Sequence, residues 1–520
     1  MKQMTPEIIL DVPSSAAGRR LSDWLLERGI PFRADCGGRG TCGKCKVTVL
    51  EGEFLRSASA EPYLPDERGE ILSCRALCTD RPARIRAKLV SGQGLTAHAV
   101  QDAPGERANF SLEERYGVAL DIGTTTLAAA LVDRQTGETL KTCSSLNPQQ
   151  RFGADVINRI LACRNGHLGD LTGLIRKETA ALLSTLSAEI HDKQIHTLTV
   201  AGNPTMLHLF CGVSPEGMGA YPFTPAFTDT QRLTGSETGI PVQEIIALPS
   251  ASAFIGSDIL GGVLSCGLAE RHEPSVLVDL GTNGEIVFSC GGRLLAASTA
   301  AGPALEGANI SCGMGGVAGA VNSVTLSQEG AFLCTTIGDA PPAGLCGSGL
   351  VDLIAALLNR GDLDETGYLD DDVTLGTLAF PAFHVRADGS HTNEPLSAIT
   401  LTQKDVREFQ LAKSAIRAGL TTLTEQAGEK LKQLGTVYLA GGLGFYINTE
   451  SAVRVGMLPE CLAGRVRPVG NTSLAGATLC LCHAARLAEL ETLASRCQTI
   501  DLNQVPTFSD CFVEHMLFPE

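Results

Sequence analysis

Two stretches of this sequence share one design. Val118 to Ile122 is an apolar run carrying Asp121, after which Gly123 turns into the hydroxyls of Thr124, Thr125 and Thr126. Val276 to Leu280 repeats the scheme with Asp279, followed by Gly281, Thr282, Asn283, Gly284 and Glu285. A strand that delivers a carboxylate and then turns through glycine into small polar residues suits a backbone-lined phosphate pocket, with the carboxylate beside it for a hydrated magnesium ion. One copy would constrain little. Two copies imply two related lobes closing on one nucleotide.

A chain of 520 residues is too long for a single core and should divide into two to four domains. The net charge of −16 argues against nucleic acid or an anionic membrane surface as the main partner. Basic residues gather only at Arg81, Arg84, Arg86 and Lys88, where the last three alternate with Ile85 and Ala87 and so share one face of a strand, either a solvated face or a docking patch for an acidic partner. No apolar run is long enough for a signal peptide or a membrane span, so the expected location is the cytoplasm. There the 18 cysteines should stay reduced, and only those with ligand spacing support a functional reading.

Four cysteines have that spacing. Cys36, Cys42 and Cys45 stand in a glycine-rich C-x5-C-x2-C loop, and Cys74 follows in a distant Leu-Ser-Cys-Arg turn. Three thiolates on one tight loop and a fourth from elsewhere is how a [2Fe-2S] cluster is held, and the glycines let backbone N–H groups approach its sulfurs. Tetrahedral zinc is the rival, although zinc knuckles usually pair two short C-x2-C units. Cys78 competes with Cys74 as fourth ligand. The segment resembles plant-type or adrenodoxin-type ferredoxins over about ninety residues, with five residues in the first gap where the plant pattern has four.

The remaining organisation follows from periodicity and punctuation. Strands are expected at residues 7–12 and 46–50, with a short helix ending at Gly29. Residues 91–115 read as a flexible linker, residues 116–270 as a first lobe and residues 271–520 as a second. In the first lobe the 117–133 hairpin and a strand at 138–143 make a meander, followed by a polar loop at 147–157, a helix over 172–190, and a strand ending in Gly202 and Asn203. The second lobe repeats the meander at 276–280, 285–289 and 293–297. Glu306 follows between glycines, either reaching the cleft to orient water or hold magnesium, or lying on the surface. Cys312 and Cys346 read as packing thiols. A helix is expected from Lys404 to Lys432, with Lys413 either snorkelling or reaching phosphate. A strand then ends in Gly441 and Gly442, where a flat ring could approach, and Asn471 either meets the cleft or caps the last helix.

The two hairpins and the late strand–Gly-Gly resemble the phosphate-1, phosphate-2 and adenosine motifs of the actin, sugar kinase and heat-shock chaperone (ASKHA) ATPases over residues 116 to about 485. Joined to an N-terminal [2Fe-2S] segment, the whole resembles the reductive activators of corrinoid proteins. The resemblance implies a multidomain α/β and α+β chain, a β-grasp ferredoxin-like domain over residues 1–90 followed by a two-lobed ASKHA domain. It implies [2Fe-2S], ATP and magnesium (Mg2+) as cofactors, a corrinoid protein as electron acceptor, and a low-potential donor such as a ferredoxin. Asp121 and Asp279 would position magnesium and water, Thr124 to Thr126, Thr282 and Asn283 would meet phosphate, and Gly441 and Gly442 would flank adenosine. Described members carry an additional middle domain, whereas only about 25 residues lie between the ferredoxin-like and ATPase stretches here. The oligomeric state is left open between monomer and homodimer.

The implied reaction is ATP-dependent return of a Co(II) corrinoid to the Co(I) state needed for methyl transfer. A plant-type cluster lies near roughly −400 mV, and the resemblance places the cobalt couple lower. Each deficit of about 59 mV costs about tenfold in a one-electron equilibrium, so nucleotide-driven closure has a physical task. Rivals are a small-molecule kinase with an accessory iron–sulfur domain, an electron-transfer protein with degenerate lobes, and a dehydratase activator. The last would need a [4Fe-4S] ligand set, and no separate one is evident.

Overall fold

The computed structural model describes residues 7–28, 45–88, 110–190, 194–369, 377–379, 382–385 and 399–519. It divides into two compact units, one of residues 1–92 with 148–167 and one of residues 93–147 with 168–520. The linker expected at 91–115 lies mostly outside the described residues.

The first unit contains β1 (Glu7–Val12), α1 (Leu21–Glu27), β2 (Lys46–Glu51), β3 (Phe54–Arg56), β4 (Glu70–Leu72), β5 (Ala76–Cys78) and β6 (Ala83–Lys88). The main sheet has the order β1-β6-β2-β4, with β3 and β5 paired apart from it, and α1 packs beside β5 in the β-grasp manner. In β6, Ala83, Ile85 and Ala87 are buried while Arg84 and Arg86 face solvent, and Arg84 meets Asp11 of β1 at 3.2 Å. The basic stripe is therefore the outer face of a sheet whose inner face closes on Leu21, Trp24 and Leu25. Grouped with this unit is α2 (Val156–Ala162), capped by Asp155 through a 2.8 Å bond from the Asn158 backbone N–H.

The second unit opens with β7 (Tyr116–Ile122), β8 (Thr126–Asp133), β9 (Glu138–Leu146), α3 (Leu168–Ser187), β10 (Thr197–Gly202), α4 (Pro204–Cys211), β11 (Gln231–Thr234), α5 (Gly235–Thr238), β12 (Glu244–Ala247) and α6 (Ser257–Ser265). It continues with β13 (Ser275–Leu280), β14 (Gly284–Cys290), β15 (Arg293–Thr299), β16 (Ala320–Leu326), β17 (Phe332–Thr336), β18 (Gly344–Leu345), α7 (Gly347–Arg360), β19 (Thr377–Ala379), β20 (Ala382–His384), β21 (Thr400–Thr402) and α8 (Gln403–Gln426). It closes with β22 (Thr436–Ala440), α9 (Gly441–Tyr446), α10 (Thr449–Arg454), β23 (Val466–Gly470), α11 (Thr472–Cys482), α12 (Ala484–Arg496), β24 (Gln498–Thr499) and α13 (Pro506–Glu514).

Two sheets repeat one plan. The first is ordered β11-β12-β10-β7-β8-β9 and the second β23-β22-β13-β14-β15-β24. Each contains an antiparallel meander, and its first strand also pairs in parallel with a strand that arrives later in the chain, β10 or β22. Strands β7 and β13 are almost wholly buried, as continuous apolar runs in the middle of covered sheets must be. The exceptions near their ends are the half-buried Asp121 and Asp279.

Helices α6 and α11 bridge the sheets. One apolar cluster holds Ile259 and Leu260 of α6 and Leu474 and Ala477 of α11, together with Ala119 and Ala201 of the first sheet and Leu277 and Val287 of the second. The helices cross at glycine: a Cβ on Gly476 would lie 2.3 Å from the Gly261 Cα.

Helix α8 stops at Gln426 rather than Lys432, because Gly428 takes a left-handed φ of 83° and a separate turn follows at Leu431–Gln433. Helix α3 runs from Leu168 to Ser187, earlier at both ends than the expected 172–190. Among the described residues no helix is long and apolar enough to cross a membrane.

Candidate functional site

The strand ends place Asp121 opposite Ala201 of β10 and Asp279 opposite Ala440 of β22, so both carboxylates arrive where chain leaves the sheet. At the second edge Gly441 has a φ of 86°, and a Cβ there would come within 2.6 Å of Asp279 Oδ1. Its immediate role is therefore to make room for that carboxylate.

Polar side chains hold the first hairpin in shape. Gly123 N–H donates to the Thr126 carbonyl at 2.9 Å, and a Cβ on Gly123 would meet that oxygen at 2.7 Å. Asn147 donates from Nδ2 to the Gly123 carbonyl at 2.9 Å and from its backbone N–H to the Thr125 carbonyl at 2.8 Å. Asn203 caps α4 through the Met206 N–H and donates from Nδ2 to Thr124 Oγ1 at 3.2 Å. Asp121 accepts from Asn471 Nδ2 at 2.8 Å and Ser473 Oγ at 2.7 Å, and Asn471 Oδ1 caps α11 at Leu474. Both alternatives weighed for Asn471 are thus realised by opposite ends of one amide. Glu306 is half-buried, and it accepts from Thr125 Oγ1 at 2.5 Å and from Thr282 Oγ1 at 2.8 Å.

Two further carboxylates join the site. Asp258 sits in the first turn of α6, and Glu285 stands directly across the ladder from Asp279. Burial pushes Asp258 up to about 7, aided by the charge of Asp121. Burial likewise pushes Asp279 up to about 8, with Asp258, Asp121 and Glu306 adding repulsion. Asp121 is raised by burial against the opposing hydrogen bonds from Ser473 and Asn471, and Glu285 is raised well above the usual range by burial and by Asp258 and Asp279. Among the described residues no lysine or arginine contributes to the shifts of Asp121, Asp258 or Asp279. Mutually repelling carboxylates without a protein cation fit a site for a divalent ion. Among the described residues no three acidic, histidine or cysteine side chains converge closely enough to chelate one ion. Hydrated magnesium, which keeps several of its waters and is bound through one or two carboxylates, needs no such cluster.

Sequence reasoning missed Asp258, whose signal was only an acid in the first turn of a helix, where acids are ordinary. Glu285 stands in the second hairpin, where the sequence pattern alone assigns it no role. Lys413 neither snorkels nor reaches phosphate: it is fully buried, donates to the Leu517 carbonyl and lies 4.7 Å over the Phe518 ring. Burial, with Arg417 nearby, pushes its amine down to about 7. Cys346 is buried and donates to the Val321 carbonyl at 3.2 Å, as a packing thiol would.

In the first unit Cys45 and Cys74 are buried with their Sγ atoms 3.2 Å apart, fixed by a 2.9 Å bond from the Ser73 N–H to the Cys45 carbonyl. The Cys74 hydrogen bond brings the Cys45 thiol down to about 6. Burial instead pushes Cys78 up to about 11. Two adjacent thiols, one readily ionised, fit a thiolate-held cluster. Cys36 and Cys42 lie outside the described residues.

Known proteins resemble the chain over nearly all of its length. Residues 12–79 match the family described as a 2Fe-2S iron-sulfur cluster binding domain, residues 116–271 the RACo middle region, and residues 273–520 the C-terminal domain of RACo, the ASKHA domain. A corrinoid activation enzyme of Eubacterium limosum, RamQ, is 33% identical, with 96% of each chain covered. A reductase of the Co(II) methylated amine-specific corrinoid protein from Methanosarcina barkeri is 29% identical over 73% of this chain and 72% of its own. The solved structure of a reductive activator for a corrinoid, iron-sulfur protein superposes with a TM-score of 0.71 at 27% identity, covering 98% of this chain and 96% of that one. The match of the middle region corrects one expectation: no such region is missing, because it coincides with the stretch read as the first lobe.

Proposed function

This chain belongs to the reductive activators of corrinoid proteins, and we propose that it divides that task between a thiolate-held [2Fe-2S] carrier and two lobes that close on Mg-ATP. Its activity is to return a Co(II) corrinoid protein to Co(I). The observation that carries the division of labour is the meeting, in one cleft, of Asp121, Asp258, Asp279 and Glu285 with the hydroxyls of two glycine hairpins.

When bound, the cluster supplies one-electron transfer and magnesium supplies neutralising charge beside the triphosphate. The chain's own residues then have separable roles. Cys36, Cys42, Cys45 and Cys74 hold the cluster. Thr124, Thr125, Thr126, Thr282 and Asn283 would face phosphate, on turns that the N–H groups of Gly123 and Gly281 close by donating to the Thr126 and Asn283 carbonyls. Asp121 is kept in one orientation by Asn471 and Ser473, so it can aim an acceptor at magnesium-bound water without reorganising. Asp279 aims another from the opposite lobe. Gly441 and Gly442 admit the adenosine. ATP influences the redox step only through different affinity for open and closed lobes, and the shared α6–α11 core is the element both lobes bias.

The reading extends to a low-potential donor such as a ferredoxin, to a cytoplasmic setting, and to a homodimer as the assembly to test. The test is the visible spectrum of a Co(II) corrinoid protein with this protein and a low-potential reductant, with and without Mg-ATP. Appearance of the Co(I) band only with ATP is expected. Activation that proceeds equally without nucleotide would overturn the role given to the lobes.

A further inference from the structure

Glu306 spans the two phosphate hairpins. Its Oε2 accepts from Thr125 of the first and its Oε1 from Thr282 of the second, so one carboxylate uses both oxygens to join lobes whose hydroxyls face phosphate in the reading above. The turn that carries it, Pro303–Glu306, lies between Gly302 and Gly307, with left-handed φ values of 76° and 77°. That turn packs against α7 and α8. A Cβ on Gly302 would meet nothing within 4 Å, whereas one on Gly307 would fall 2.4 Å from the Met314 carbonyl, so there is space beside the start of the turn and none beside its end, while Ala304 and Leu305 between them are buried in the core.

A carboxylate and a terminal phosphate are both oxyanions that seek hydroxyl donors, and two like charges cannot share one pair of donors at close range. We propose, on the basis of the nucleotide reading, that Glu306 is a positioning residue that stands in for the terminal phosphate of ATP. It clasps Thr125 and Thr282 until that phosphate takes the two hydroxyls and the turn swings away about Gly302. A nucleoside diphosphate lacks the displacing group and leaves the clasp made. Release of the clasp is felt by α7 and α8, which gives the second lobe a direct report of the triphosphate.

The proposal differs in its signature from a Glu306 that orients water or holds magnesium. Calorimetric titration of the full-length protein with Mg-ADP and with the magnesium complex of a non-hydrolysable ATP analogue, repeated for Glu306→Gln and Glu306→Ala, separates them. Glu306→Ala should bind the triphosphate analogue about tenfold more tightly, through loss of a competing charged acceptor, while Mg-ADP changes by less than about twofold. Glu306→Gln keeps the shape and loses the charge, and should fall between. Unchanged or weaker analogue binding in both variants, with ATP hydrolysis lost, would assign Glu306 to the chemistry and overturn the clasp. Equal tightening of ADP and analogue would overturn it too. If the wild-type protein bound neither nucleotide, the nucleotide reading itself would fall, a result distinct from a failed clasp on a working site.

Discussion

Asp121 and Asn471 are 350 residues apart in the chain and meet at 2.8 Å. The far end of the same amide caps α11, so one side chain fastens the Asp121 hairpin to the helix that crosses α6. Asn471→Ala should cost about 1 kcal/mol from the lost cap alone, and it leaves Asp121 held by the Ser473 hydroxyl. A lowered melting temperature together with weaker Mg-nucleotide binding is expected. A variant as stable and as tightly bound as the wild type would mean that the contact has no consequence.

Asp121→Ala and Asp279→Ala each remove a carboxylate from opposite lobes of the cleft. Either should abolish ATP-dependent activation of a corrinoid protein while leaving the visible spectrum of the iron–sulfur cluster intact. Full activation by both variants would refute a two-lobed site.

The cleft should also make stability depend on pH. Asp258 and Asp279, raised to about 7 and about 8, keep protons in the folded protein that the unfolded chain has already released above about pH 4. Their contribution is complete below the unfolded value and is lost as pH rises through the folded ones. Melting temperature measured without magnesium should therefore fall between about pH 4 and about pH 8, whereas the stabilisation given by Mg-ADP should grow, because ion binding favours ionised carboxylates. A magnesium effect independent of pH across that window would contradict the assignment.

Cys74 and Cys78 can be told apart by absorbance. Cys74 lies 3.2 Å from Cys45, whereas Cys78 is a buried thiol in β5 pushed up to about 11. Cys74→Ser should lose or distort the [2Fe-2S] spectrum, and Cys78→Ser should retain it. The reverse pattern would exchange their roles.

Much of this was legible because apolar runs punctuated by glycine are visible without tertiary context. Both meanders and the Asp121 and Asp279 hairpins were read within a residue or a few of their observed bounds. What escaped depends on distant partners. Asp258 looks like any acid at a helix start until Asp121 and Asp279 are placed near it. Lys413 could be assigned no partner, since its carbonyl acceptor at Leu517 is 104 residues away. The end of α8 was misread because one glycine among polar residues is a weak stop without its observed φ.

The strap formed by the last residues offers a fifth test. Phe518 is 3% exposed, stacks on Phe409 with centroids 6.4 Å apart, and its N–H donates to the Glu365 carbonyl at 2.8 Å. Phe518→Ala should cost about 3 kcal/mol, seen as a lower denaturant midpoint. A midpoint equal to that of the wild type would show that the strap contributes nothing to stability.

Where α6 meets α11, Gly261 and Gly476 bring backbone against backbone. Helices that interlock through side-chain ridges and grooves settle into preferred angles and resist leaving them. A crossing without side chains has no teeth at that point, so its angle is held from either side of it, by the cluster that unites Ile259 and Leu260 with Leu474 and Ala477 and by Ser265, whose Oγ donates to the Thr472 carbonyl at 3.4 Å.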